Sequence, residues 1–294
     1  MTKSVKNFFL FLTAFIWGMA FVAQSVAMDS ISPYTFNSIR FIISGGLLFL
    51  FCLTSGRYKN INLKALIKAG VICGIVLFSA STLQQLGMVS TGAGKAGFIT
   101  VFYIVFVPFL SLFTKNRPGI KTWVCVGVAL YGLYLLCMKG GFSIELSDFY
   151  ILMCAFMFAV HIMVIDKFGA EFDPITLSSV QFITAAVIGL PFLFVLPVNI
   201  ADIKEAAVPI LYTSVMSTGV GYTFQAIGQK DNDPTSVSLI LSLESVFAAV
   251  GGFLILHESF SYRELIGCIL IFAAITIIQL PDRKKDCVSA SQSA

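Results

Sequence analysis

Residues 14–41, AFIWGMAFVAQSVAMDSISPYTFNSIRF, and residues 155–182, AFMFAVHIMVIDKFGAEFDPITLSSVQF, align without a gap. Ala14, Phe15, Pro33, Thr35, Ser38 and Phe41 recur 141 positions later as Ala155, Phe156, Pro174, Thr176, Ser179 and Phe182. The displacement persists further along the chain. Thr82, Gln84 and Gly87 recur as Thr223, Gln225 and Gly228, and Ile99 and Phe106 as Ile240 and Phe247. The chain reads as two copies of one unit, residues 1–140 and 141–281, followed by a polar tail, residues 282–294.

Composition says what kind of unit this is. Of 294 residues, 57% are hydrophobic and 12% charged, where a soluble domain carries about 25% charged residues. A helical bilayer span needs about 20 mostly apolar residues, and the chain is made almost wholly of such stretches. Hydropathy and breakers place ten, near residues 7–27, 33–54, 64–86, 92–114, 119–138, 147–166, 174–196, 206–228, 234–256 and 261–280. Each copy then holds five spans, an odd number, so the second copy must lie upside down relative to the first. The expected fold is an all-α membrane protein of ten transmembrane helices arranged as two inverted five-helix repeats. Many secondary transporters are built this way, with the substrate site near the bilayer midplane between the halves.

Loop charges orient the bundle. Most loop Lys and Arg, from Lys3 and Lys6 to Arg283 and Lys285, fall on one side, and only Lys139, Lys204 and Arg263 fall on the other. Both termini are therefore expected in the cytoplasm, in a plasma or inner membrane. The first 27 residues have the basic start and small-residue end of a signal peptide. Their apolar run is too long for a signal core and has a counterpart in the second copy, so they read as the first permanent helix. The net charge of +4 comes from scattered loop residues and does not suggest a nucleic-acid surface. Seven Cys with no CxxC pair argue against a disulfide framework or a metal site. There is no GxxxxGK[ST], so the energy for transport would come from a gradient or from the substrate itself, and no cofactor is called for. The implied partners are a small-molecule substrate and the lipid bilayer; the oligomeric state stays open.

Specific stretches carry a family resemblance. FIWGMAFVAQ, PYTFNSIRF and TGAGKAGFITVFYIVFVPFL in the first half, and SLILSLESVFAAVGGFLILHESFSYRELIGCILIFAAI in the second, resemble helices one, two, four, nine and ten of the drug/metabolite transporter superfamily, in its EamA branch. The resemblance implies a carrier of small organic metabolites, such as amino acids or related polar and amphipathic solutes, often moved outward. It also implies a central cavity lined mainly by the first four helices of each repeat. The family usually has Pro after the Glu of the ninth helix, where this chain has Ser245.

Candidate site residues follow from charge and polarity inside apolar runs. Glu244 lies ten residues into its span, so about 15 Å deep, where an acid costs about 2.5 kcal/mol or more. It could carry a proton or pair with a cationic group. Its repeat counterpart is Tyr103, a hydrogen-bond donor at an equivalent depth. Gln84 and Gln225 are a repeat-related pair whose amides can both donate and accept; Tyr222 neighbours the second. Arg40, whose counterpart is Gln181, reads first as a structural cation that snorkels outward. It is also a candidate to attract an anionic group or to neutralise an acid, as is Lys95 at the start of the fourth span. Trp17 sits mid-span and could wall the cavity opposite Phe158. His161 is a lone imidazole that reads first as a satisfied structural histidine; it also titrates in the right range to move protons. The function these imply is gradient-driven export of small metabolites by alternating access. An uncoupled facilitator, a membrane sensor or scaffold, and an intramembrane enzyme are the alternatives.

Overall fold

The computed structural model describes residues 1–114, 118–137, 145–196, 199–255 and 261–280. The expected tail, 282–294, lies outside the described residues. In chain order the helices are α1 (Lys3–Met28), α2 (Pro33–Thr54), α3 (Leu63–Met88), α4 (Ala93–Thr100), α5 (Tyr103–Ser111), α6 (Ile120–Cys137), α7 (Leu146–Gly169), α8 (Pro174–Val195), α9 (Ile200–Glu205) and α10 (Ala207–Tyr212). A π-helical segment, Thr213–Tyr222, follows, then α11 (Thr223–Gln229), α12 (Pro234–Leu241), α13 (Leu243–Ile255) and α14 (Tyr262–Gln279). Among the described residues, eight stretches are long and apolar enough to cross a membrane, and Ile120–Leu136 is a shorter apolar helix.

Polarity is distributed as lipid demands. Leu47, Leu53, Phe109, Phe194 and Ile269 face outward, while Asn37, Gln85, Gln181, Gln229 and Glu244 are buried. Polar side chains that face hydrocarbon are costly, so they turn into the bundle. Local sequence sets the helix starts. Ser32 and Asp173 each accept from the backbone N–H three residues on, at Thr35 and Thr176. Pro33 and Pro174 follow as first helical residues, where a missing N–H costs nothing.

The packing relates the two halves pairwise. α2 lies against α8 and α6 against α14; α3 packs on α7, as α1 packs on the segment from α10 to α11. α13 meets α1 as α5 meets α7. Two glycines make the correspondence atomic. A methyl placed on Gly87 would lie 2.2 Å from Ile151 and 2.7 Å from the Ser147 carbonyl; one on Gly228 would lie 2.8 Å from Leu10 and 2.7 Å from the Lys6 carbonyl. All three residues of the first set are displaced by 141 from those of the second.

Three spans expected to be continuous are not. The fourth breaks at Val101–Phe102, between α4 and α5, and the ninth breaks at Ser242, between α12 and α13. These breaks are also repeat equivalents. In the first, Ile104 and Val105 bond three residues back rather than four, and Pro108 removes the donor for the Ile104 carbonyl. In the second, the hydroxyls of Ser238 and Ser242 donate to Thr235 and Leu239 carbonyls, a back-bonding that bends helices. The eighth span, expected at 206–228, opens on a turn at Ala206 and is divided by the π segment. Its counterpart α3 is one regular helix. Gly219 and Gly221 stand where α3 has Phe78 and Ala80, and Pro209 lies a turn upstream; both weaken regular α geometry.

Candidate functional site

The breaks in the fourth and ninth spans bring two side chains together. Tyr103 opens α5 and Glu244 lies at the start of α13, and the Tyr103 hydroxyl donates to Glu244 Oε1 at 2.9 Å. The two residues are 2% and 3% exposed. They line a cavity with Trp17, Gln84, Arg40, Tyr222 and Gln225. The cavity admits water to about 30 Å³ of its volume. One water needs roughly 10–15 Å³, so this arrangement has room for about two waters.

The π segment shapes one wall. Its Ser217 carbonyl accepts from Trp17 Nε1 at 3.0 Å, and its Gly221 carbonyl accepts from Thr13 Oγ1 at 3.2 Å. A methyl on Gly221 would lie 2.6 Å from Trp17 Nε1, so glycine is what lets the indole seat here. The Trp17 ring packs at 4.7 Å on Tyr222, which also meets Phe182 and His161. α1 reaches the opposite wall at Gly18, where a methyl would lie 2.6 Å from the Glu244 carbonyl oxygen. Phe158 also lines the cavity.

Amides and one guanidinium supply the remaining polarity. Gln84 Nε2 donates to Thr100 Oγ1 at 3.4 Å. Gln225 Oε1 is buried with no hydrogen-bond partner among the described residues. Arg40 does not snorkel as expected: it is 2% exposed and its Nη1 donates to Gln24 Oε1 at 3.2 Å. The Gln85 amide donates to the same oxygen. The guanidinium lies 5.0 Å from the Phe41 ring centroid and 5.7 Å from that of Phe36. Such faces attract a cation and hold it inward.

Two expected site residues lie elsewhere. Lys95 is absent from the described cavity lining, because its ammonium sits 2.6 Å from Asp148 Oδ2 on α7. His161 stands behind Tyr222 with Nε2 3.0 Å from Gln181 Oε1 and is 1% exposed; its ring faces that amide rather than the cavity. Sequence reasoning missed Gln24, Thr100 and Ser217. Gln24 carried one signal, a lone amide in an apolar run, but its counterpart is Ile165, so the repeat did not flag it.

Two clusters tie the halves together beyond the cavity. Near the starts of α4 and α7, Asp148 takes the Lys95 ammonium and accepts from Thr91 Oγ1 at 3.3 Å. At the start of α1, Lys6 pairs with Asp231 at 2.8 Å, and Asn232 Nδ2 donates to Asn7 Oδ1 at 3.3 Å. Thr91–Asp148 and Asn232–Asn7 are equivalent contacts under the displacement of 141.

Comparison with known proteins agrees with this architecture. A model of the EamA-like transporter family matches residues 5–138 and again 145–280. The chain is 31% identical over 272 residues to an Archaeoglobus fulgidus protein named as an uncharacterized transporter, covering 92% of this chain and 84% of that protein. It is 22% identical to the S-adenosylmethionine/S-adenosylhomocysteine transporter of Chlamydia muridarum, over 90% of this chain and 91% of that one. One crystal structure superposes with a TM-score of 0.79 at 14% identity, over 95% of this chain and 97% of its own, and so shares the fold.

Proposed function

Because the chain belongs to the EamA-like transporter family and is a multi-pass membrane transporter, we propose that it is a gradient-driven exporter of small organic metabolites. It works by alternating access around the cavity at Tyr103 and Glu244. The solutes are amino acids or related polar, amphipathic compounds. The ten spans form two inverted repeats, residues 1–140 and 141–281, with both termini in the cytoplasm of a cell that keeps the protein in its plasma or inner membrane. The observation that carries this reading is the Tyr103–Glu244 hydrogen bond, which joins residues 141 apart across the two halves. The paired family match, the equivalent glycine crossings and the equivalent clusters at the ends support the same symmetry.

In this reading the cluster at Lys95 and Asp148 closes the outer end, and the cluster at Lys6 and Asp231 closes the inner end. Alternating access opens one while the other holds. Glu244 is the titrating group on the path. A carboxyl bonded to a phenol and removed from water can exchange a proton when the cavity opens.

The test is uptake into proteoliposomes under an imposed pH gradient. Glu244→Gln should fold normally and lower gradient-driven flux at least tenfold. Undiminished flux with the same pH dependence would falsify the proton-carrier role.

A further inference from the structure

We propose that the cavity is built for a zwitterion, an amino–carboxylate solute whose anionic group docks on Arg40 and whose cationic group docks on Glu244. This rests on the transporter reading above and specifies which solutes fit it.

Arg40 and Glu244 line one cavity and are both almost fully buried. A guanidinium stays protonated in proteins, and a buried charge is costly unless another charge or strong hydrogen bonds meet it. Among the described residues, neither side chain has an oppositely charged partner within ion-pair distance. Arg40 has one amide oxygen on Nη1, and its Nε–H is buried with no partner. Glu244 has one phenol on Oε1. The Arg40 charge therefore has unmet demand, and Glu244, when ionised, has only a phenol to meet a charge of the opposite sign.

The geometry of each group selects its ligand. The open Nε–H edge of a guanidinium matches a carboxylate in a two-point contact. The carboxylate of Glu244 accepts from an ammonium. Tyr222 lines the same cavity, and with Trp17 and Phe21 it gives the space an aromatic wall suited to an apolar solute body. The repeat sharpens the point. The counterparts of Arg40 and Glu244 are the uncharged Gln181 and Tyr103, so each charge belongs to one half alone. A symmetric pair of sites would bind a solute in either direction. This pair gives it a head and a tail. A solute with only one charge leaves the other protein charge unmet, which is how buried polar groups reject near-analogues.

The experiment uses the full chain in detergent, with leucine and phenylalanine as probes beside their amides and their N-acetyl derivatives. Calorimetric Kd values should favour each parent at least tenfold over both derivatives. Arg40→Gln should erase the preference over the amide and Glu244→Gln the preference over the N-acetyl form. Gln24→Glu keeps the shape of its side chain and sets a carboxylate on Arg40. It should raise the Tm of the unliganded protein and weaken both amino acids at least tenfold. Equal binding of a parent and either derivative, no binding of either parent, or unchanged affinity in Gln24→Glu each overturns the assignment. Binding without flux in proteoliposomes would instead sink the transporter reading and leave the charge assignment intact. Flux of singly charged solutes only, unaltered by Arg40→Gln, would do the reverse.

Discussion

Glu244 and Tyr103 depend on each other. The phenol is the one hydrogen-bond donor described on the carboxylate, so Tyr103→Phe should leave a buried acceptor unmet and cost about 1–3 kcal/mol of stability. Thermal unfolding in detergent would show it, and Glu244→Gln, which keeps an acceptor for the phenol, should cost less. An equal loss in both variants would mean that the hydrogen bond carries little. The pairing was legible in the sequence, since a carboxylate deep in an apolar run is conspicuous and the displacement of 141 named its partner. Arg40 was legible only as a charge. Its inward turn depends on Gln24, Phe36 and Phe41, and no local pattern announces which way a long side chain points. Lys95 was legible as a cation that could neutralise an acid, but which acid was not: Asp148 lies 53 residues away.

Helices carry the symmetry, and they carry its exceptions. The crossings at Gly87 and Gly228 are equivalent, so Gly87→Val and Gly228→Val should destabilise by similar amounts, about 1–3 kcal/mol each from overpacking. Tm shifts would test this, and a large effect at only one crossing would contradict the equivalence. The break at Ser242 falls three residues before the position where the family usually carries Pro, and serine back-bonding stands in for the ring. Hydropathy windows average over about 19 residues, so they found the spans and passed over these breaks. The π segment was hidden for the same reason. Its signals, Pro209, Gly219 and Gly221, also occur in unbroken membrane helices.

At the scale of the whole molecule, both ends are tied while the cavity is small. The end at Lys6 and Asp231 should answer to acid. The Lys6 hydrogen bond holds the exposed Asp231 carboxyl below its ordinary value of 3.8. A depressed folded pKa means the contact is fully present above that ordinary value and is lost as pH falls through the lowered one. Neutral-pH function should thus be indifferent to this titration. Lys6→Met removes the same contact at any pH.

Reciprocity of the two ends tests the mechanism most directly. Spin labels at Ser90 and Leu146 would report one end and labels at Ser4 and Lys230 the other, with distances measured in lipid after the native cysteines are replaced. Lys95→Met should lengthen the Ser90–Leu146 distances while the Ser4–Lys230 pair stays short, and Lys6→Met should do the opposite. If both pairs lengthen together, or neither responds to its own variant, alternating access about this cavity is wrong.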